Sequence, residues 1–300
     1  MVRVLANNPG PFTLEGTNTW IVGERPSLVI DPGPDDETHL WAVAREAGDV
    51  AAILVTHAHP DHAPGADALS RRVSAPVMAF RPGPGQERLR DDQVVEADGV
   101  RLRAVHTPGH TVDHVVLWAV AQRALFTGDA VLGRGTSVVD PPEGDLAAYL
   151  RSLRRMQALA PRVLYPGHGP TVFDAAAKLN EYVDHRAMRE RQVVEALRAG
   201  PRTPREIVPG IYQDYPPEMF PVAERQVLAH LLKLEREGSA ERTGTGDGAA
   251  FELVGDRRCD RCGRPAMSRS RLCRSCSLDA LQEPPEPPSG QEGLPEPESS

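Results

Sequence analysis

Three histidines and an aspartate fall within six residues, in Thr56-His57-Ala58-His59-Pro60-Asp61-His62. Imidazole nitrogen and carboxylate oxygen are good donors to a divalent ion, and four such groups crowded together are costly to bury without one. The motif follows directly on the apolar run Ala52-Ile53-Leu54-Val55. A loop leaving a rigid strand can aim its side chains at one point. Three further donors stand in similar settings: His110 in Thr107-Pro108-Gly109-His110, Asp129 in Phe126-Thr127-Gly128-Asp129, and His168 in Tyr165-Pro166-Gly167-His168. Each follows an apolar run and a glycine, which lets the backbone turn sharply. The chemistry such a set can support is metal-assisted hydrolysis.

The elements that must position these groups are short. Strands are expected at Thr19–Val22, Ser27–Ile30, Ala52–Val55, Pro76–Phe80, Arg101–Val105, His114–Trp118, Ala124–Phe126 and Arg162–Tyr165, from length and β-branched content. Helical patterns intervene at Thr38–Ala47, Ala63–Arg72 and Asp145–Leu159, with Asp145 as an N-cap. This alternation predicts a layered α/β core. A longer helical pattern, Phe173–Ala199, stops at Gly200-Pro201. Beyond it, Thr203-Pro204-Arg205-Glu206 has the form of a capping box. A second helix from about Pro221 to Glu237 is followed by two strands around Gly244-Thr245-Gly246-Asp247-Gly248, a hairpin signal. Helices followed by a hairpin describe a winged helix.

The pattern H-x-H-x-D-H followed by separate His, Asp and His resembles the metallo-β-lactamase superfamily. The resemblance covers roughly residues 1–175. It implies a four-layer αββα sandwich with two metal ions. His57, His59 and His110 would hold one ion, Asp61, His62 and His168 the other, and Asp129 would bridge them. Asp61 would also serve catalysis by orienting the nucleophile or accepting its proton. Within the superfamily, Asn8-Pro9-Gly10-Pro11-Phe12 through Thr19, His185-Arg186 and Leu231-Leu232-Lys233-Leu234-Glu235 are similar to the β-lactamase-like protein 2 family, which includes endoribonucleases acting on single-stranded RNA. That resemblance implies that His185, Arg186 and Arg189 border the cleft and contact phosphate; a solvated helix face is the other reading. Asn18 is a candidate substrate contact or a turn former. His106 and His114, four residues to either side of His110, either hydrogen-bond the ligands or are structural. His39 and His230 look like surface or packing histidines.

Cys259-x2-Cys262 and Cys273-x2-Cys276 are the only cysteines. Two such pairs can supply four thiolates to one structural zinc, although the ten residues between them make a short linker; two unligated or redox pairs are the alternative. Residues 257–276 carry seven Arg and one Asp, and residues 278–300 six acidic residues, no basic ones and six Pro. The first segment could hold RNA, the acidic tail or a protein; the second has the composition of a disordered tail. The expected units are therefore 1–175 (metallo-β-lactamase core), 176–256 (connecting helix and winged helix), 257–277 (four-cysteine zinc-ribbon-like module) and 278–300 (acidic Pro-rich tail).

The whole chain of 300 residues has a formal charge of −8, which excludes a simple basic coat protein for nucleic acid. No apolar run is long enough to span a membrane, and the first residues lack the apolar segment of a secretion signal, so a cytoplasmic protein without membrane contact is expected. The expected function is a two-zinc hydrolase cutting phosphodiester bonds of single-stranded RNA through attack by a metal-bound hydroxide. The alternative is a thioester hydrolase resembling glyoxalase II, or another small-molecule esterase. A non-catalytic regulator, using the winged helix and cysteine module for binding, fits the complete ligand set poorly. The second helix of the winged helix is not clearly basic, which argues against duplex DNA. Oligomeric state is left open.

Overall fold

The computed structural model describes residues 1–246 and 248–254. Two β-sheets face each other. The first runs in the order β1 (Val2–Leu5), β2 (Asn18–Val22), β3 (Ser27–Ile30), β4 (Val50–Val55), β5 (Val77–Ala79) and β6 (Glu87–Arg88). Strands β3 to β6 are parallel to one another, whereas β1 and β2 pair antiparallel. The second sheet has β7 (Val94–Ala97), β8 (Val100–His106), β9 (Val115–Ala119), β10 (Ala124–Gly128) and β11 (Val163–Pro166), with only β10 and β11 parallel.

Alternation along each strand sorts its side chains between two cores. Leu28 and Ile30 of β3 and Leu54 of β4 point between the sheets, where they meet Leu102, Leu117 and Phe126 of the second sheet. Val29 and Ile53 point outward onto α1 (Glu37–Ala47) and α2 (Ala66–Val73), against Leu40, Val43 and Leu69. On the far side, Val116, Trp118 and Leu125 pack on α3 (Leu146–Ala158) and α4 (Ala175–Leu197) through Tyr149, Leu153, Leu179 and Tyr182. Each fully buried aliphatic contributes about 1.5–3 kcal/mol of transfer free energy. The layers are helix, sheet, sheet, helix, as the resemblance implies.

Asp145 caps α3 by accepting from Ala148 N at 3.0 Å. Helix α2 begins at Ala66, not Ala63; Pro64, which has no N–H to donate and is costly in a helix interior, lies ahead of it. The short and largely exposed strands β1, β6 and β7 were not legible as strands. They lie at sheet edges, where one side has no partner and apolar alternation is weak.

Past α4, the capping box forms at Thr203, which starts α5 (Pro204–Ile211). A 3-10 turn at Pro217–Met219 leads into α6 (Phe220–Arg236), and β12 (Ala240–Thr243) pairs with β13 (Ala250–Leu253). This is a winged helix. Helix α6 does not present a free face: Ala229 lies in the same buried cluster as Tyr149 and Tyr182, and Gln226 bonds both Val139 N (3.3 Å) and Val139 O (3.0 Å). Arg225 pairs with Asp140 and Arg236 with Asp145. The helix that would read a duplex is thus docked on the sandwich. Among the described residues no helix is long and apolar enough to cross a membrane.

Candidate metal centre

The seven predicted His and Asp donors stand after strand ends on one rim of the sandwich. Strand β4 delivers His57 to His62, β8 leads to His110, β10 to Asp129 and β11 to His168. The donors gather into two groups, His57, His59, His110 and Asp129, and Asp61, His62 and His168, in each of which the ligand atoms lie within 4.8 Å of one another.

In the first group, Nδ1 of His59 lies 3.0 Å from Nε2 of His57 and 3.0 Å from Nε2 of His110. The opposite nitrogens are already committed. Nδ1 of His110 donates to Val138 O at 2.7 Å. Thr56 Oγ1 donates to Asp31 Oδ2 (2.8 Å), so it accepts from His57 Nδ1 (3.0 Å). The bare lone pairs of His57 and His110 therefore converge on Nδ1 of His59, an arrangement of three imidazole nitrogens that one cation can satisfy. Burial holds His57 well below the usual histidine range and His110 below it, with neighbouring imidazoles adding to the effect, so both are neutral ligands.

The second group is richer in carboxylate. His168 Nε2 lies 3.0 Å from Asp61 Oδ2 and 3.3 Å from Asp129 Oδ1, and His62 Nε2 lies 3.3 Å from the same Asp129 oxygen. Burial alone would lower His62 and His168. Asp129 outweighs it, with Asp31 on His62 and Asp61 on His168, so His62 sits well above the usual range and His168 at about 9. Burial alone would likewise raise Asp129, but His62 and His168 outweigh it and hold the carboxyl well below its usual range. Without ions, protons balance the carboxylates here; a divalent ion displaces them and serves the same electrostatic purpose. Asp129 Oδ2 lies 3.8 Å from His110 Nε2, so its two oxygens face the two groups. The residues fit a pair of divalent ions: His57, His59 and His110 on one, Asp61, His62 and His168 on the other, and Asp129 between. When bound, such ions acidify water and offset charge building on a reacting oxygen.

Asp31 is the main contributor the sequence reading missed. It is 2% exposed and has φ 51°, an uncommon backbone state for a non-glycine. Its carboxylate accepts from Thr56 N (2.7 Å), Thr56 Oγ1 and His62 Nδ1 (2.9 Å). That fixes the ring of His62 and, through Thr56, that of His57. The signal was present: Asp31-Pro32-Gly33 ends a strand as the other donors do. Gly167 is needed for close approach, since a Cβ there would lie 2.6 Å from His62 and 2.8 Å from Asp129.

Other candidates fall elsewhere. Asn18 is fully buried beneath the rim, where Nδ2 donates to Pro166 O and Gly169 O, both at 2.9 Å. It braces the loop of His168, whose Nδ1 donates to Gly16 O at 3.1 Å. His114 is buried beside the centre, its ring 5.1 Å from that of His57 and bonded to Thr107. His106 stacks on Phe80 and is not at the centre. His39 is buried and bonds Thr19. His185 and Arg186 line a separate chamber on the far side of residues 135–138. Arg186 is 3% exposed, so it is no solvated face; it donates to Ser137 O and to Gln226 Oε1. Cys259, Cys262, Cys273 and Cys276, and the acidic tail, lie outside the described residues.

A cavity of about 610 Å³ opens over the donors. Its walls include Phe12 and Leu14 from the loop after β1, Leu132 and Val138, and Met219 and Val222 from the winged helix. Its two arginines are ion-paired, Arg134 with Glu15 (2.7 Å) and Arg225 with Asp140.

An αββα sandwich with a His/Asp metal-binding cluster on its strand-end rim defines a hydrolase of the metallo-β-lactamase type. The superfamily's sequence model matches residues 12–82 and 77–168, and that of the beta-lactamase associated winged helix domain matches 203–248. The chain belongs to the metallo-beta-lactamase superfamily. It is 36% identical over 271 residues to an atrochrysone carboxyl ACP thioesterase of Aspergillus chevalieri, covering 85% of this chain and 84% of that protein. It is 34% identical over 257 residues to a beta-lactamase-like protein 2 homolog of Caenorhabditis elegans, covering 80% and 86%. A beta-lactamase domain protein from Burkholderia ambifaria shares the fold, with a TM-score of 0.73 at 24% identity over 84% of this chain and 90% of that one.

Proposed function

We propose that this chain is a two-zinc hydrolase that cleaves the thioester of an apolar acyl group. The observation that carries this reading is the cavity wall. Phe12, Leu14, Leu132, Val138, Met219 and Val222 surround the approach to the donors, and both arginines there are neutralised by carboxylates. An acyl chain gains from such a surface by leaving water. The thioesterase relatives are consistent with it.

Single-stranded RNA, the substrate expected from the sequence, is the second reading. It is favoured by the seven arginines of residues 257–276. A polyanion needs uncompensated cations along its track. Among the described residues the cavity wall offers none, and residues 1–256 carry −8. That balance ranks the thioester first.

In either reaction Asp61, 3.0 Å from His168, stands at the open side of the second donor group, where it can hold or receive a proton. The test is one panel. Zinc-loaded protein is given an aromatic acyl thioester of N-acetylcysteamine, S-lactoylglutathione, labelled single-stranded RNA and duplex DNA, beside Asp129→Ala. Turnover of the aromatic thioester, lost in the variant, supports the proposal. Cleavage of RNA alone overturns it in favour of the second reading.

A further inference from the structure

Arg186 and Arg189 lie one turn apart on α4, 3% and 8% exposed. Neither forms an ion pair with any described residue. Arg186 donates to Gln226 Oε1 at 3.0 Å and to Ser137 O; Arg189 donates to Gln192 Oε1 at 3.1 Å and to Ile211 O at 2.9 Å. All four acceptors are neutral. Tyr149 under Arg186 (5.3 Å) and Tyr212 under Arg189 (4.4 Å) offset part of the charge. Nε of each guanidinium is buried without a partner. The carboxylate of Glu190 is engaged by Lys233 at 2.9 Å. Two cations withdrawn from water without a counter-charge are costly, and a bound anion would offset that cost.

The space for one is present. A chamber of about 220 Å³ is lined by His185, Arg186, Tyr212, Tyr215 and Gln226. Nδ1 of His185 is also buried without a partner. The chamber shares residues 135–138, Met219 and Val222 with the main cavity, so the two spaces adjoin across that wall. A guanidinium beside a neutral imidazole and tyrosine rings recognises a phosphate better than an uncharged group.

We propose that this chamber binds the phosphate of the thiol-bearing carrier arm to which the acyl group is esterified. The identity of the arm rests on the thioester reading; the anion site rests on the guanidinium of Arg186 and the unpartnered Nδ1 of His185, which line the chamber, with Arg189 adding positive charge one turn along α4. Binding of 4′-phosphopantetheine and of unphosphorylated pantetheine to the full chain is measured by calorimetry, with zinc and after chelation. The expected result is at least tenfold tighter binding of the phosphorylated arm in both states. Arg186→Met abolishes that preference. Because Arg186 also holds Ser137, two further variants keep the test open: His185→Gln reduces the preference several-fold, and Thr136→Glu, which sets a carboxylate at the chamber wall, reduces it as strongly. Equal affinity for the two compounds overturns the proposal. So does a preference that disappears on chelation, which would place the phosphate at the metal centre. A preference without thioester turnover keeps the chamber and rejects the reaction; turnover without preference does the reverse.

Discussion

His110 and Arg186 grip consecutive carbonyls of one segment. His110 Nδ1 donates to Val138 O at 2.7 Å, and Arg186 donates to Ser137 O. A member of the donor cluster is thereby tied to α4 and, through Gln226, to α6 of the winged helix. Gln226→Leu removes the acceptor of Arg186 and both bonds to Val139, leaving buried polar groups unpaired. A loss of about 2–3 kcal/mol in denaturant unfolding is expected, together with a several-fold weaker grip on metal. Unchanged stability would show that the winged helix is not coupled to the core by this bond.

Asp31→Asn replaces an acceptor of three bonds with an amide. Its NH2 must face either Thr56 N–H or the pair of Thr56 Oγ1 and His62 Nδ1–H. Metal affinity is expected to fall about 10–100-fold, as for other partners that orient ligand histidines. Competition with a chromophoric chelator measures it, and wild-type affinity would refute the role of Asp31.

Asp129→Ala takes away the carboxylate that faces both donor groups. Hydrolysis should be abolished and bound metal should fall from two ions per site, counted by elemental analysis. Chelated wild type should likewise be inactive and recover with zinc. Full activity after chelation would sink the two-metal reading.

Gly109→Ala tests the turn before His110. Gly109 has φ +136°, and a Cβ there would lie 2.3 Å from the backbone N of Tyr149. Neither the conformation nor the contact can relax without moving α3. A loss on the order of 3 kcal/mol or more is expected in thermal unfolding. A stability within about 1 kcal/mol of wild type would contradict the packing.

His185 offers a test by pH. Burial first, then the charges of Arg186 and Arg189, lowers it to about 4. The unfolded chain, near 6.5, takes up this proton earlier, so folding stability rises with pH between about 4 and 6.5. His185→Gln should flatten that slope by about 1 kcal/mol, allowing for solvent screening of a partly buried ring. The difference between the two proteins in urea unfolding at pH values of about 4.5 and 7 reports it, and parallel curves would count against the shift.

The donors, the strands that carry them and the caps at Asp145 and Thr203 were legible in the sequence, because each is a local pattern: residue type, spacing and apolar period decide it. The four-layer arrangement followed from the motif's resemblance and is what the two cores show. The role of Asp31 needed the tertiary structure, since a carboxylate 31 positions before His62 in the chain becomes its partner only when β3 and β4 pair. So did the place of Asn18, read as a candidate substrate contact or a turn former, which is a buried brace. The apolar walls and the unpaired Arg186 and Arg189 were equally hidden. A guanidinium's partner and a cavity's lining are set by which distant segments meet, and those meetings are long-range packing events that no single stretch of sequence encodes.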